Sequence, residues 1–151
     1  MGTRTSQRGF TLVEVVIVLT VMALLAVAAL PRIVSIISKA KYGSRNNVLA
    51  SIREGIHLQK LVSISETSPL GSYPTDLDPI VGFATCSVAT PCFVNVLEPG
   101  QGVTDSRWTK VGGFNYQYDV GGTNQTTYFY SNTNGTMDCD PAGSAPGACT
   151  N

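Results

Sequence analysis

The chain has 151 residues, 43% hydrophobic and only 13% charged, with a formal net charge of zero. A single histidine, and no paired-carboxylate, Ser/His/Asp or phosphate-loop pattern, leaves no recognisable arrangement for acid–base, nucleophilic or phosphoryl chemistry. Whole-chain neutrality hides a strong segregation of charge and hydropathy, and the segments are best taken in order.

Residues 1–9 form a short leader carrying Arg4 and Arg8 and ending in Gly9. Phe10–Leu30 follows, 21 residues whose only polar members are Thr11, Glu14 and Thr20. As a helix rising about 1.5 Å per residue it reaches about 31 Å, enough to cross a hydrocarbon core. A cleaved secretory signal has a shorter apolar region and a small-residue site on its far side. Ala26, Ala28 and Ala29 imitate such a site, but no polar break follows, so the segment reads as a retained membrane helix. Glu14 stands out within it. A charged side chain deep in a bilayer costs roughly 2.5–3.5 kcal/mol, and an acid kept there calls for a partner.

This arrangement resembles the type IV pilin superfamily, which includes pilins and the pseudopilins of type II secretion. The matching residues are Gly9 before a scissile bond, Phe10 as the new N-terminus, Thr11-Leu12, Glu14 as the fifth mature residue and Pro31 as the 22nd. The resemblance implies cleavage between Gly9 and Phe10 by a prepilin peptidase, then N-methylation of Phe10. It also implies a pairing of Glu14 with the N-terminal amine of a neighbouring subunit, which sets the register of assembly at an inner-membrane platform. Pairing within one chain is also open, because Phe10 and Glu14 lie about one helical turn apart. The plainest alternative is a first-turn acid favoured by the helix dipole and snorkelling to the headgroups.

Residues 31–65 read as the amphipathic half of the same helix. Ile33, Ile36, Ile37, Ala40, Val48, Leu49, Ile52, Ile56 and Leu61 recur mostly at helical spacings. Pro31 removes a backbone hydrogen bond and predicts a kink, and the helix is expected to end near Ser63–Ser68. His57, alone on this stem, reads as a surface or interface residue. From Arg32 to Lys60 six basic residues stand against Glu54, a balance of +5, while from Glu66 onward eight acids stand against Arg107 and Lys110, a balance of −6. A basic stem and an acidic head can meet across a subunit contact; solvated faces are the competing account. Positive charge beyond the membrane helix would by itself put the head in the cytoplasm. Four cysteines in a small domain and the pilin resemblance put it outside.

Residues 66–151 are expected to form a globular, β-rich head. Gly71-Ser72-Tyr73-Pro74-Thr75 reads as a turn. Phe114, Tyr116, Tyr118 and Val120 alternate with polar residues, Gly121–Asn124 turns, and Gln125–Ser131 returns, which together predict a β-hairpin. A third strand is expected near Phe93–Leu97. Roughly 85 residues cannot build a large core alone, so the sheet is expected to bury its inner face on the stem. Cys86, Cys92, Cys139 and Cys149 allow three pairings. The local ones, Cys86–Cys92 and Cys139–Cys149, close short loops worth about 2–3 kcal/mol each, and a C-terminal disulfide loop is similar to that of many pilins. A Cys₄ zinc site is the rival, with spacings wider than zinc sites use.

The remaining chemistry is sparse, and no cofactor is expected. Asn132, Asn134, Asp138 and Asp140 offer oxygen at alternating positions, as a calcium loop does; an Asn-Gly turn accounts for the same residues. Arg107, Trp108 and Lys110 could touch a phosphate and stack on a base, as nucleic-acid uptake requires, with a core tryptophan as the alternative. Asn124-Gln-Thr126 and Asn134-Gly-Thr136 match the glycosylation sequon.

The fold expected is α+β: a long N-terminal helix on a small antiparallel sheet, pilin-like. The function expected is structural and not enzymatic. The chain would be a homopolymeric subunit of a type IV pilus, held first in the inner membrane and then in an extracellular filament for adhesion, twitching motility or DNA uptake. A pseudopilin of type II secretion is the near alternative. A membrane-tethered periplasmic binding module that never polymerises is the distant one.

Overall fold

A computed structural model describes residues 10–66, 70–98, 101–121, 124–144 and 149. Helix α1 (Leu12–Glu66) runs for 55 residues and contains Pro31 within its length. The chain divides into two units, the first reaching Ala40 and the second beginning at Lys41. In the first, every described side chain is exposed. In the second, the helix packs on a sheet.

That sheet has five strands: β1 (Ala84–Thr85), β2 (Trp108–Gly112), β3 (Asn115–Asp119), β4 (Gln125–Ser131) and β5 (Thr136–Asp140). They pair in chain order, each antiparallel to the next. The expected hairpin is β3–β4, with Tyr116 opposite Tyr128 and Tyr118 opposite Thr126. Period-two alternation sends Trp108, Lys110, Tyr116, Tyr118, Tyr128, Tyr130 and Met137 to one buried face. Leu49, Ile52 and Ile56 of α1 complete the core with them.

Polar contacts fix the helix to this face at several heights. Lys41 Nζ donates to the Val120 carbonyl at 2.8 Å, and Tyr118 Oη donates to the Lys41 carbonyl at 3.1 Å. Gly55 marks the closest approach. A Cβ there would overlap the backbone carbonyl of Val96, so only glycine lets the helix sit this near the 93–98 turn. The predicted stripe is therefore half right. Leu49, Ile52 and Ile56 are buried, whereas Ile33, Ile36, Ile37 and Leu61 are exposed.

Phe93–Leu97 is a turn and not the expected strand. Phe93 adopts φ 62°, the left-handed region, at a cost of about 1–2 kcal/mol for a residue bearing a Cβ. Its carbonyl accepts the amides of Val96 and Leu97 at 3.2 and 3.1 Å, and its buried ring lies 4.4 Å from that of Tyr116. Buried aromatic packing and a carboxylate on its amide hold the conformation.

That carboxylate is Asp78, the centre of a buried polar cluster. Its Oδ1 accepts Lys110 Nζ at 2.8 Å and the Ile80 amide at 3.1 Å; its Oδ2 accepts Tyr116 Oη at 2.8 Å and the Phe93 amide at 3.2 Å. The two charged side chains are 0% and 3% exposed. Burial, reinforced by the charge and hydrogen bond of Asp78, pushes the Tyr116 hydroxyl far above the ordinary phenol range, so it stays a donor. Tyr130, whose Oη donates to the Pro74 carbonyl at 2.7 Å, is pushed up to about 12 by burial and then by the charge of Asp76.

Candidate functional site

The apolar helix comes first. Its best 18-residue window has a mean hydropathy of 2.8, and none of that window is buried by the chain itself. Such a surface has no place in water, so its partner is lipid or other protein.

Within it the three polar side chains fare differently. Thr11 caps the helix, its Oγ1 accepting the Glu14 amide at 3.3 Å. Thr20 Oγ1 donates to the Ile17 carbonyl at 2.8 Å and is satisfied inside its own helix. The Glu14 carboxylate makes no ion pair among the described residues. It stands at the third position after the cap, where the dipole favours an acid but removes little of the cost of burying it. Glu14 is thus the one polar side chain of the segment whose need is not met locally.

Residues 4–30 match the protein family described as the prokaryotic N-terminal methylation motif. The chain carries a type IV pilin or pseudopilin leader. This methylation motif implies processing by a prepilin peptidase and a structural subunit that assembles, and with the apolar helix it fits membrane anchoring before assembly. No curated protein and no solved structure matches the chain. Gly9 of the motif lies outside the described residues; Phe10 is exposed just ahead of the helix, and Pro31 is accommodated inside it.

The head resolves the other candidates. Disulfides join Cys86 to Cys92 and Cys139 to Cys149, which takes all four thiols away from zinc. Arg107, Trp108 and Lys110 do not form a nucleic-acid surface. Trp108 is fully buried against Phe93, Tyr118 and Tyr128, so no base can stack on it. Lys110 is buried against Asp78, and Arg107 Nη2 is 2.7 Å from Asp105 Oδ2. Alternation along β2 sends Trp108 and Lys110 to the same inner face, which a triplet read as a surface motif conceals. Burial works to raise the Asp105 carboxyl, but the hydrogen bonds and charge of Arg107 outweigh it and leave the group below its ordinary value.

Asn132–Gly135 form the turn between β4 and β5, with Gly135 at φ 68° and its missing Cβ replaced by the ring of Tyr73. Asp138 and Asp140 lie along β5 instead of closing a loop with Asn132 and Asn134. Among the described residues no cluster of three or more His, Cys, Asp or Glu side chains is placed to hold a metal. His57 is exposed and edge-on to Tyr73, ring centres 6.3 Å apart.

Two features escaped the sequence reading. Thr11-x-x-Glu14 is a helix-start pattern, legible in the residues once the helix is known to begin there. The Asp78–Lys110 pair joins residues 32 apart in sequence and leaves no local signal.

Proposed function

We propose that this chain is the structural subunit of a type IV pilus filament, drawn from a processed inner-membrane pool. The observation that carries the reading is Glu14, a carboxylate without an ion-pair partner among the described residues, in the apolar part of α1 whose side chains are all exposed up to Ala40. Cleavage after Gly9 would free the amine of Phe10, and N-methylation leaves that amine able to carry charge. The amine of one subunit and Glu14 of the next then neutralise each other in a dry core and fix the axial register. Extraction from lipid is tolerable because the helix exchanges lipid for neighbouring helices, never for water. Pro31 loosens one backbone hydrogen bond and lets the helix bend as neighbours pack.

The two disulfides and the short edge strand β1 suit an exposed head outside the cell. The pseudopilin reading has one feature of its own: Gly71-Ser72-Tyr73-Pro74-Thr75 is similar to a turn of the major pseudopilin, and here Gly71 adopts φ 63° and Ser72 exchanges hydrogen bonds with Ser63 of the helix end. Shearing cells and weighing the protein in the released filaments separates the two. Abundant chain beginning at methylated Phe10 is the expected result. Processed chain confined to the membrane favours the pseudopilin, and unprocessed chain overturns both.

A further inference from the structure

Arg45 and Arg53 lie eight residues apart on α1, about two turns along the helix and about 80° around it. Arg45 is 2% exposed; its guanidinium lies over the Tyr42 ring, 5.0 Å from its centre, and its hydrogen bonds all go to neutral oxygen. Its Nε and Nη2 donate to Asn46 Oδ1 at 3.1 and 3.0 Å, and Nη1 donates to Thr126 Oγ1 at 3.4 Å. Arg53 donates Nε and Nη2 to the Met137 carbonyl at 3.1 and 2.8 Å. Both arginines, Arg45 buried and Arg53 exposed, line a cavity of about 280 Å³ with Asn46, Tyr128 and the Cys139–Cys149 disulfide, and among the described residues no carboxylate lines it. Charge taken out of water is offset chiefly by opposite charge, and a guanidinium fork matches a carboxylate best.

The distribution of ion pairs says where that carboxylate comes from. Among the described residues the ion pairs are Lys110–Asp78 and Arg107–Asp105. Among those residues Lys41, Arg45, Arg53 and Lys60 on the helix have no acidic partner. Asp76, Glu98, Asp119 and Asp138 of the head are exposed and equally without a base. Two complementary patches on one molecule that do not meet each other can meet on successive copies, and such a heterologous contact propagates as a filament.

We infer that the Arg45–Arg53 cavity receives an acidic side chain from the head of a second copy of this chain, one of Asp76, Glu98, Asp119 or Asp138. The inference rests on the filament reading above and adds a head-level contact to the helix core.

The test uses sheared filaments of the R53K variant, which keeps a donor for the Met137 carbonyl and introduces a primary amine. A carbodiimide joins amines to carboxylates they touch, and digestion of covalent dimers excised from a denaturing gel reports the linked peptides. A link between copies from position 53 to one of the four acids is expected. R53E should then lower sheared-filament yield on the order of tenfold or more, while the head keeps a cooperative thermal transition, lowered only as far as in R53A, which loses the same bonds to the Met137 carbonyl. Replacing the linked acid by arginine in that background should restore the yield. R53K filaments that give no link between copies from position 53, or links confined to one chain, overturn the inference and leave the filament reading intact. If the wild-type chain never enters sheared filaments, the filament reading falls first and this contact with it.

Discussion

The two parts of α1 invert the usual relation between composition and burial. Up to Ala40 the helix contains its most apolar stretch, mean hydropathy 2.8 over the best 18 residues, and every side chain is exposed. From Lys41 to Glu66 it is mixed and basic, yet Arg45, Leu49, Ile52, Gly55 and Ile56 are buried. Hydropathy states what a segment would gain by leaving water, while burial states what the chain can place opposite it. The sheet lies opposite the second part. Among the described residues nothing covers a side chain of the first part, whose partner must come from the membrane or from other copies.

Breaking each part should therefore give a different phenotype. Glu14→Ala should abolish or nearly abolish sheared filaments, because removing one member of a desolvated charge pair costs about 3–5 kcal/mol, more than a hundredfold in association. The melting midpoint of the detergent-solubilised protein should not move; normal filament yield would remove Glu14 from the register role. Asp78→Ala should do the reverse and strike the head, leaving Lys110 charged and buried at a cost of about 3–5 kcal/mol in denaturant unfolding. The double change D78L/K110M should recover the part due to the unpaired lysine but not the part due to the Tyr116, Phe93 and Ile80 donors left without an acceptor; full recovery would show that only the charge pair matters.

Smaller effects sharpen the boundary of the packed part. Gly55→Ala forces the Val96 carbonyl away from the helix and should cost about 1–3 kcal/mol by the same unfolding assay. Gly43→Ala, with open space around it, should be neutral or stabilising by about 0.5–1 kcal/mol. Equal costs at the two glycines would contradict the close approach. Asp105→Asn should cost at most about 1 kcal/mol, since the pair with Arg107 is about a third exposed on each side. The folded Asp105 carboxyl titrates below its unfolded value near 3.9, so its contribution is full above that pH and is lost as pH falls through the folded value. A stability difference between wild type and D105N that does not shrink as the pH falls below about 4 would refute the assignment.

Legibility followed the range of the interaction. The β3–β4 hairpin could be read because alternation and a glycine-rich connection act within about fifteen residues. β2 and β5 could not. Trp108-Thr-Lys-Val-Gly puts a lysine where an inward strand position would ask for an apolar residue, and only Asp78 makes it tolerable. Phe93–Leu97 looks apolar enough for a strand, yet the Asp78 carboxylate on the Phe93 amide and the ring of Tyr116 bend it into a turn. The Arg45–Arg53 cavity was equally out of reach, since its walls come from α1, β4 and the Cys139–Cys149 disulfide.

By itself the sequence determined the leader, the membrane-length helix and its lone acid, because hydropathy and the Gly9-Phe10 pattern act through contiguous residues. It also determined the extended stem and the hairpin, through their periodicities. Only the tertiary structure decided which face of the stem is covered, which acid neutralises Lys110 and which arginines are left without a carboxylate. Those outcomes depend on groups far apart in the chain being desolvated together, and burial, unlike periodicity, has no value until the partner is in place.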